Sequence, residues 1–275
     1  MYVKSKYVFL ATLAFLFTQV FAFADNHADD GAASEESSEV SEIIYDGNLK
    51  TDDFVGISFW LATAMMLAAT VFFFIERDRV KGKWKTSMTV AGLVTGIAFW
   101  HYLYMREAHM AGDVTTVFRY IDWLITVPLQ IVEFYLILAA VTVVPALLFW
   151  KLLGASLVML VFGFLGEAGL MDATIAFIIG VAAWGYIIFE VFSGEAAKLS
   201  ESSGNKGGQF AFNTLRYILT IGWAIYPIGY FFGYLSSGGA DAGTVNVIYN
   251  IADLVNKTAF GLAIWVGATM DTDES

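Results

Sequence analysis

A lysine and an aspartate stand together in the last long apolar stretch of the chain. Lys257 lies within the stretch from Val245 to Met270, and Asp253 precedes it by four residues. Because residues four apart share a face of a helix, the two side chains are predicted to meet. An ammonium group at bilayer depth costs at least about 3 kcal/mol, which indicates a site that moves charge or binds a charged group. An ion pair that only ties two helices together is the alternative.

A buried lysine also offers covalent chemistry. Its neutral amine can attack an aldehyde and form a Schiff base. The protonated imine is then a buried cation that requires counter-charges. Asp253 is one candidate counter-charge, and Asp122, in another apolar stretch, is the other.

A stripe of polar side chains runs through the third apolar stretch. It contains Arg119, Asp122, Thr126, Gln130 and Glu133, at spacings that place all of them on one face of a helix. Asp122 and Glu133 are eleven residues apart, or about 16 Å along the axis. Two carboxylates at different depths suit a proton path, whereas pairing with neighbours to fix helix packing is the other interpretation.

Aromatic residues in several stretches could form the walls of an elongated apolar pocket. They are Trp123, Trp184, Trp223, Tyr226 and Tyr230. Such stripes are more often ordinary core than a cofactor site. A buried Tyr226 hydroxyl would need a hydrogen-bond partner, and Asp253 is a plausible one.

Membrane-spanning helices must position these side chains. The chain is 58% hydrophobic and 15% charged, whereas soluble domains contain about 25% charged residues. The absence of cysteine excludes disulfides and thiolate sites. We predict an all-α membrane protein with a bundle of seven transmembrane helices that encloses a pocket. Each apolar stretch reaches about the 20 residues that a span needs, and the predicted limits are 53–75, 86–106, 114–140, 148–170, 173–193, 208–235 and 245–271.

The flanking segments predict targeting and orientation. Residues 1–24 have the pattern of a cleavable signal peptide, with an uncleaved extra helix as the alternative. Residues 25–52 form an acidic segment that is predicted to be disordered. The predicted helical domain follows at residues 53–271, and a cytoplasmic tail is predicted at residues 272–275. The basic residues of the first predicted inner loop are Arg77, Arg79, Lys81, Lys83 and Lys85. The positive-inside rule then predicts an extracytoplasmic amino terminus and a cytoplasmic carboxyl terminus in a bacterial inner membrane.

Together these residues resemble the microbial (type 1) rhodopsins, and among them the proteorhodopsins. The resemblance covers residues from about 50 to 271, and its motifs are Arg119-Tyr-Ile-Asp122-Trp123, Trp223-x-x-Tyr226-Pro227 and Asp253-x-x-x-Lys257. It implies that Lys257 binds all-trans retinal as a protonated Schiff base, with Asp122 and Asp253 as counter-ions. Asp122 would also be the proton acceptor and Glu133 the proton donor. Asp122, Thr126 and Glu133 match the signature of outward proton pumps in that family.

The resemblance assigns further residues to the pocket. Gln130 matches the residue type of blue-absorbing proteorhodopsins, so it implies spectral tuning towards the blue. His101 resembles the histidine that pairs with the acceptor aspartate, although a packing role is equally open. Glu167 is either a proton-release group beyond Arg119 or a solvated carboxylate at a loop edge. The residues that resemble the retinal-pocket walls are Trp123, Met159, Gly163, Trp184, Trp223, Tyr226 and Pro227, with Tyr230 on the same face.

The function implied is that of a light-driven outward proton pump, a transporter and not an enzyme. Its expected partners are retinal, protons, the lipid bilayer and further copies of itself in a pentamer or hexamer, with no nucleic acid. A sensory rhodopsin that signals to a transducer would use the same pocket, but Glu133 favours pumping. Two alternatives remain. One is a seven-helix receptor or transporter that has no chromophore, and the other is a retinal protein that pumps another ion.

Overall fold

The computed structural model describes residues 49–236 and 241–274, with the side chain of residue 274 left out. The chain divides after Lys50 into an amino-terminal unit and a unit that begins at Thr51. The predicted signal peptide and nearly all of the predicted disordered segment lie outside the described residues.

The described residues form helices joined by short connections, without a strand among them. The helices are α1 (Phe54–Glu76), α2 (Trp84–Met110), α3 (Thr116–Val141), α4 (Ala146–Glu167), α5 (Ala173–Phe192), α6 (Glu195–Ser202), α7 (Lys206–Tyr217), α8 (Ile225–Tyr230) and α9 (Ala242–Glu274). A 3₁₀ turn at Arg77–Arg79 follows α1, and π-helical turns at Ile218–Gly222 and Phe231–Leu235 flank α8.

Seven helical stretches of the described residues are long and apolar enough to cross a membrane, which confirms the predicted fold class. We call them spans one to seven. They are Phe54–Arg79, Trp84–Met110, Thr116–Val141, Ala146–Glu167, Ala173–Ser202, Lys206–Leu235 and Ala242–Asp273. Span five thus comprises α5 and α6, and span six comprises α7, α8 and both π-helical turns.

Side chains at the connections explain where several helices begin. Asp53 accepts the N–H of Gly56 at 2.8 Å and caps α1, and Asp172 accepts the N–H of Ile175 at 2.9 Å and caps α5. Pro145, with φ −62° and ψ 133°, precedes α4. Span four therefore begins at Ala146, two residues before the predicted limit at 148. The fixed φ of proline and its missing N–H are compatible with the start of a helix.

The carboxylate of Asp241 caps the start of span seven. It accepts the N–H of Thr244 at 2.9 Å and the hydroxyl of Thr244 at 2.8 Å. These hydrogen bonds, chiefly the one from the backbone N–H, lower the pKa of Asp241. Its charged form is the one that caps the helix.

Span six departs from regular α-helical geometry around Pro227. Proline has no N–H, and the carbonyl of Trp223 accepts the N–H of Tyr226 at 3.1 Å. The wide turn just before it, Ile218–Gly222, brings Gly222 against span seven, where its carbonyl accepts the amide of Asn256 at 3.0 Å. A Cβ at Gly222 would overlap Asn256 Oδ1, so only glycine permits this approach.

Spans six and seven also meet at the end of the bundle where α7 begins. A Cβ at Gly207 would overlap the backbone carbonyl of Gly267, so the two helices touch through their main chains. Asp271 accepts hydrogen bonds from Asn205 and, at 2.7 Å, from the indole of Trp84. Spans two, six and seven are therefore joined at this end of the bundle.

Candidate functional site

The amine of Lys257 lies between two carboxylates in the interior of the bundle. Nζ donates to Asp122 Oδ2 of span three and, at 3.0 Å, to Asp253 Oδ2 one turn away on span seven. The side chain of Lys257 is 2% exposed, and both carboxylates are fully buried. Both candidate counter-charges therefore contact the amine, and spans three and seven meet through them.

Asp253 is held by donors from three different spans. Tyr226 donates its hydroxyl to Oδ1 at 2.6 Å, and Tyr102 donates to Oδ2 at 3.0 Å. The indole N–H of Trp123 lies 3.2 Å from Oδ1. Charge-assisted bonds of this kind fix the carboxylate in its ionised form and in one orientation. The predicted Tyr226–Asp253 hydrogen bond is part of this set.

Arg119 supplies a second buried cation next to the Lys257 site. Its guanidinium donates to Asn246 at 3.0 Å and to Asn250 at 2.9 Å, and it lies 3.4 Å from the hydroxyl of Tyr102. Two cations, Arg119 and Lys257, therefore face the two carboxylates of Asp122 and Asp253. A buried group of charges is tolerated when it is balanced and hydrogen-bonded in this way.

His101 lies beside Asp122, as its position in span two indicated. Its Nδ1 is 2.9 Å from the carbonyl oxygen of Ile97 and 3.8 Å from Asp122 Oδ1. Because a carbonyl can only accept, Nδ1 carries a proton when that bond is made. Asp122 Oδ1 forms no hydrogen bond with the described residues, so His101 is the cation-capable neighbour of this free oxygen.

Glu133 occupies an enclosed position further along α3. Its side chain is fully buried, and neither carboxyl oxygen has a hydrogen-bond partner among the described residues. The hydroxyl of Ser87 lies beside it, and the amide nitrogen of Gln130, one turn closer to Lys257, is also without a partner there. Thr126, between Gln130 and Asp122, donates its hydroxyl to the Asp122 carbonyl at 3.0 Å.

A cavity with mainly aromatic and apolar walls extends from Lys257. It contains about 780 Å³ free of protein atoms, counting the part that opens outward. All eight predicted wall residues line it, as do Gln130, Asp253 and Glu167. The predicted walls are Trp123, Met159, Gly163, Trp184, Trp223, Tyr226, Pro227 and Tyr230. The indole of Trp184 is fixed by a hydrogen bond to the carbonyl of Leu219 at 3.1 Å.

Glu167 is half-buried at this cavity, where three tyrosine hydroxyls donate to its carboxylate, and its role in proton release stays a prediction. Tyr120 and Tyr249 donate to its Oε1 at 2.9 and 3.1 Å, and Tyr234 donates to Oε2 at 3.1 Å. Arg119 lies over the ring of Tyr249, 5.4 Å from its centroid. Glu167 is therefore connected to the Arg119 cation through one tyrosine.

Sequence reasoning missed several residues that shape the site. They are Tyr102, Asn246, Asn250 and Tyr249, which orient Asp253, Arg119 and Glu167. Asn246 and Asn250 precede Lys257 on the same helix by eleven and seven residues, a spacing that places all three on one face. Polar residues at helical spacing in a membrane span were the available signal.

The fold and the site define a seven-helix membrane protein with a charge-balanced lysine at the wall of an apolar cavity. A family model described as "Bacteriorhodopsin-like protein" matches residues 53–270. The chain belongs to that family, and it is a multi-pass membrane protein.

The most informative relatives are proteorhodopsins of two colours. The chain is 59% identical over 230 residues to the green-light absorbing proteorhodopsin of Gamma-proteobacterium EBAC31A08, covering 83% of this chain and 92% of the relative. It is also 59% identical over 231 residues to the blue-light absorbing proteorhodopsin of Gamma-proteobacterium Hot 75m4, with 83% and 92% covered. The two identities are equal, so overall similarity does not distinguish the colour.

Solved structures show the same fold. The crystal structure of the blue light-absorbing proteorhodopsin from Med12 is 60% identical, with a TM-score of 0.70 and coverage of 79% of this chain and 99% of that one. The structure of xanthorhodopsin, described as a light-driven ion pump with dual chromophore, is 26% identical, with a TM-score of 0.70 and coverage of 82% and 97%.

Proposed function

We propose that this protein is a light-driven outward proton pump. The observation that carries the proposal is the placement of Lys257 Nζ against Asp122 and Asp253, with the enclosed carboxyl group of Glu133 further along the helix that holds Asp122. A proton carrier with an acceptor on one side and a donor on the other can move protons in one direction.

The residues at the cavity fit an all-trans retinal joined to Lys257. Lys257 stands at the wall of the cavity, and most of the other lining side chains are aromatic or aliphatic, which suits an apolar polyene chain. Gly163 lines the cavity and allows the Tyr120 hydroxyl to approach it, since an added Cβ would lie 3.0 Å from that hydroxyl. When bound as a protonated Schiff base, retinal supplies light absorption and an isomerisation that changes the proton affinity at Nζ.

Asp122 is the proposed proton acceptor, and Asp253 the counter-ion that keeps its charge. Asp122 contacts Nζ directly and retains one oxygen without a hydrogen bond to the described residues. Asp253 accepts hydrogen bonds from Tyr102, Trp123 and Tyr226, and each of them favours its ionised form. A proton leaving Nζ therefore goes to Asp122. His101, 3.8 Å from Asp122, modulates that carboxylate, and Arg119 balances the charge that remains.

Glu133 is the proposed donor that reloads Nζ. It is about 16 Å from Asp122 along the axis of α3. Its carboxyl group is fully buried and has no hydrogen bond to the described residues. A carboxyl group without stabilising partners holds its proton until an acceptor is presented. Thr126 and Gln130 stand on the same helical face between the two groups. With the basic loops inside, Glu133 lies on the cytoplasmic side and Asp122 on the outer side.

The blue-absorbing type rests on one residue, Gln130. Its amide lines the cavity and its nitrogen lacks a partner among the described residues, so its dipole can act on the chromophore. The substitution Gln130→Leu is expected to move the absorption maximum to longer wavelength without loss of pumping. An unchanged maximum would remove Gln130 from spectral tuning and leave the colour type without support. The homo-oligomer remains a prediction.

Light-induced pH change in a suspension of expressing cells, supplied with all-trans retinal, tests the function. We expect external acidification on illumination that a protonophore abolishes. Lys257→Ala is the control variant, because it keeps the bundle but removes the attachment amine, and it should give colourless cells without a response. Coloured membranes without a pH change would favour a sensory photoreceptor. A colourless wild type would refute the assignment of Lys257.

A further inference from the structure

A polar pocket lies between α6 and α7, on the side of the bundle where span six begins. Its lining comprises Ala197, Ser200, Glu201, Gln209, Asn213 and Arg216. Gln209, Asn213 and Arg216 follow one another at spacings of four and three residues, so they form a stripe on one face of α7. None of the proposed proton-carrying residues contributes to this pocket.

Arg216 is a cation of span six that forms no ion pair with the described residues. No ion pair joins it to a carboxylate of the described residues, and its Nε atom is buried without a hydrogen bond there. The guanidinium instead stacks on Phe192, 4.9 Å from the ring centroid. Arginine in a span almost always pairs with an opposite charge or with backbone carbonyls. The missing charge is therefore expected from outside the chain.

The depth of Arg216 suits a group at the membrane surface. It is ten residues after Lys206 at the start of α7, or about 15 Å along the axis. Because helical side chains lean towards the amino terminus, the guanidinium extends back towards that end and reaches the interface. Span six has 30 residues, about 45 Å, so it extends beyond a hydrocarbon core of about 30 Å.

Two neutral donors complete the arrangement. The hydroxyl of Ser200 and the amide of Asn213 line the pocket with Arg216, and neither side chain forms a hydrogen bond with another described residue. A guanidinium with further N–H and O–H donors is the usual way to bind a phosphate group. Glu201 is the opposing charge, but its side chain is exposed and pairs with no described cation.

We propose that this pocket binds a phosphate group through Arg216. The phosphate comes from an anionic phospholipid headgroup or from free phosphate, both of which present the same oxygens. Basic pockets between helices on the cytoplasmic side are typical headgroup sites. An apolar groove between spans six and seven, lined by Phe210, Tyr217, Ile221 and Val255, shares Asn213 with the pocket and would accept an acyl chain.

Thermal unfolding of the pigment in a phosphate-free maltoside detergent tests the proposal, because a ligand of the folded state raises the unfolding midpoint. Phosphatidylglycerol, diacylglycerol and inorganic phosphate are added separately. We expect phosphatidylglycerol to raise the midpoint more than diacylglycerol, which has the same chains without the phosphate. A comparable rise with inorganic phosphate would identify free phosphate as a ligand. No difference between the two lipids and no effect of phosphate would overturn the proposal.

Variants separate the site from general surface charge. Arg216→Gln is expected to weaken the apparent affinity for the phosphate ligand about tenfold, the loss of one charge-assisted contact. Lys198→Gln removes an exposed cation of α6 outside the pocket and should leave the response unchanged. An equal loss in both variants would mean that surface charge alone attracts the ligand.

Glu201→Gln gives an independent test if Arg216→Gln does not fold. Removal of the opposing carboxylate is expected to strengthen the response to phosphate, because Arg216 then faces no competing anion. If Glu201 were instead the natural partner of Arg216, Glu201→Gln would lower the midpoint in detergent alone and would not strengthen the response. That result would overturn the proposal.

Discussion

At the scale of single residues, Asp122 and Asp253 touch the same amine but differ in their other contacts. Asp253 accepts hydrogen bonds from Tyr102, Trp123 and Tyr226. One oxygen of Asp122, by contrast, has no hydrogen bond to the part of the chain that the structure describes. The two carboxylates are therefore expected to respond differently to protons. Asp122 is the one that can change its charge without breaking a set of hydrogen bonds.

Acidification of the retinal-loaded protein is expected to shift its colour to the red. Protonation of Asp122 removes one counter-charge from the cation at Lys257, which lowers the energy of light absorption. Absorption maxima measured from alkaline to acid pH check this. Asp122→Asn should be red-shifted at every pH, insensitive to acid, and unable to pump. A wild-type maximum that stays constant with pH, or an Asp122→Asn variant that pumps normally, would contradict the acceptor role.

Glu133→Gln is expected to bind retinal and to keep its colour. Its photocycle should be about a hundredfold slower, which is the lower end of the rate loss when a positioned proton donor is removed. The amide keeps the shape of the side chain and cannot supply a proton. Time-resolved absorption after a flash measures the recovery. Glu167→Gln is the matched control, because it removes a carboxyl group that lines the cavity but lies outside the proposed reloading step. An unchanged recovery in Glu133→Gln would exclude the donor role.

At the scale of elements, the cap of span seven predicts a pH-dependent contribution to stability. The pKa of Asp241 is lowered by the N–H of Thr244, so its contribution is complete above the ordinary aspartate pKa and is lost as pH falls through the lowered value. Asp241→Ala should lower the unfolding midpoint at neutral pH, and the difference from wild type should shrink on acidification. Asp241→Asn still caps and does not titrate, so its midpoint should lack this pH dependence. A difference that stays constant in acid would contradict the cap.

The elements themselves were largely predictable, because hydropathy reports where the spans lie and how long they are. Their direction across the membrane, which rests on loop charge, stays a prediction. Span one was predicted at 53–75, and α1 is Phe54–Glu76. The wide turns of span six were not predictable, since Trp223, Tyr226 and Tyr230 satisfy regular helical spacing although π-helical turns flank them. Tyr102 was missed because its importance depends on a contact with another span, 151 positions away in sequence. Hydropathy contains no information on such pairings.

At the scale of the whole molecule, the orientation in the membrane can be tested because the chain contains no cysteine. Asp113→Cys marks the connection between spans two and three, and Ser202→Cys marks the end of span five, both at exposed positions. A membrane-impermeant maleimide is expected to label Asp113→Cys in intact cells and Ser202→Cys only after permeabilisation. The reverse pattern would place Glu133 outside and invert the proposed direction of transport.

The axial separation of Asp122 and Glu133 has an electrical consequence for a cell that is already energised. In the proposed pump, the transfer from Lys257 to Asp122 would join groups in contact, so it would cross almost none of the membrane potential. The reloading step covers about 16 Å of a hydrocarbon thickness of about 30 Å. It therefore works against roughly half of the voltage, or about 1.2 kcal/mol per proton at about 100 mV. If the proposed roles of Asp122 and Glu133 hold, the reloading step slows as the membrane charges while the first transfer does not, so the pump limits its own current.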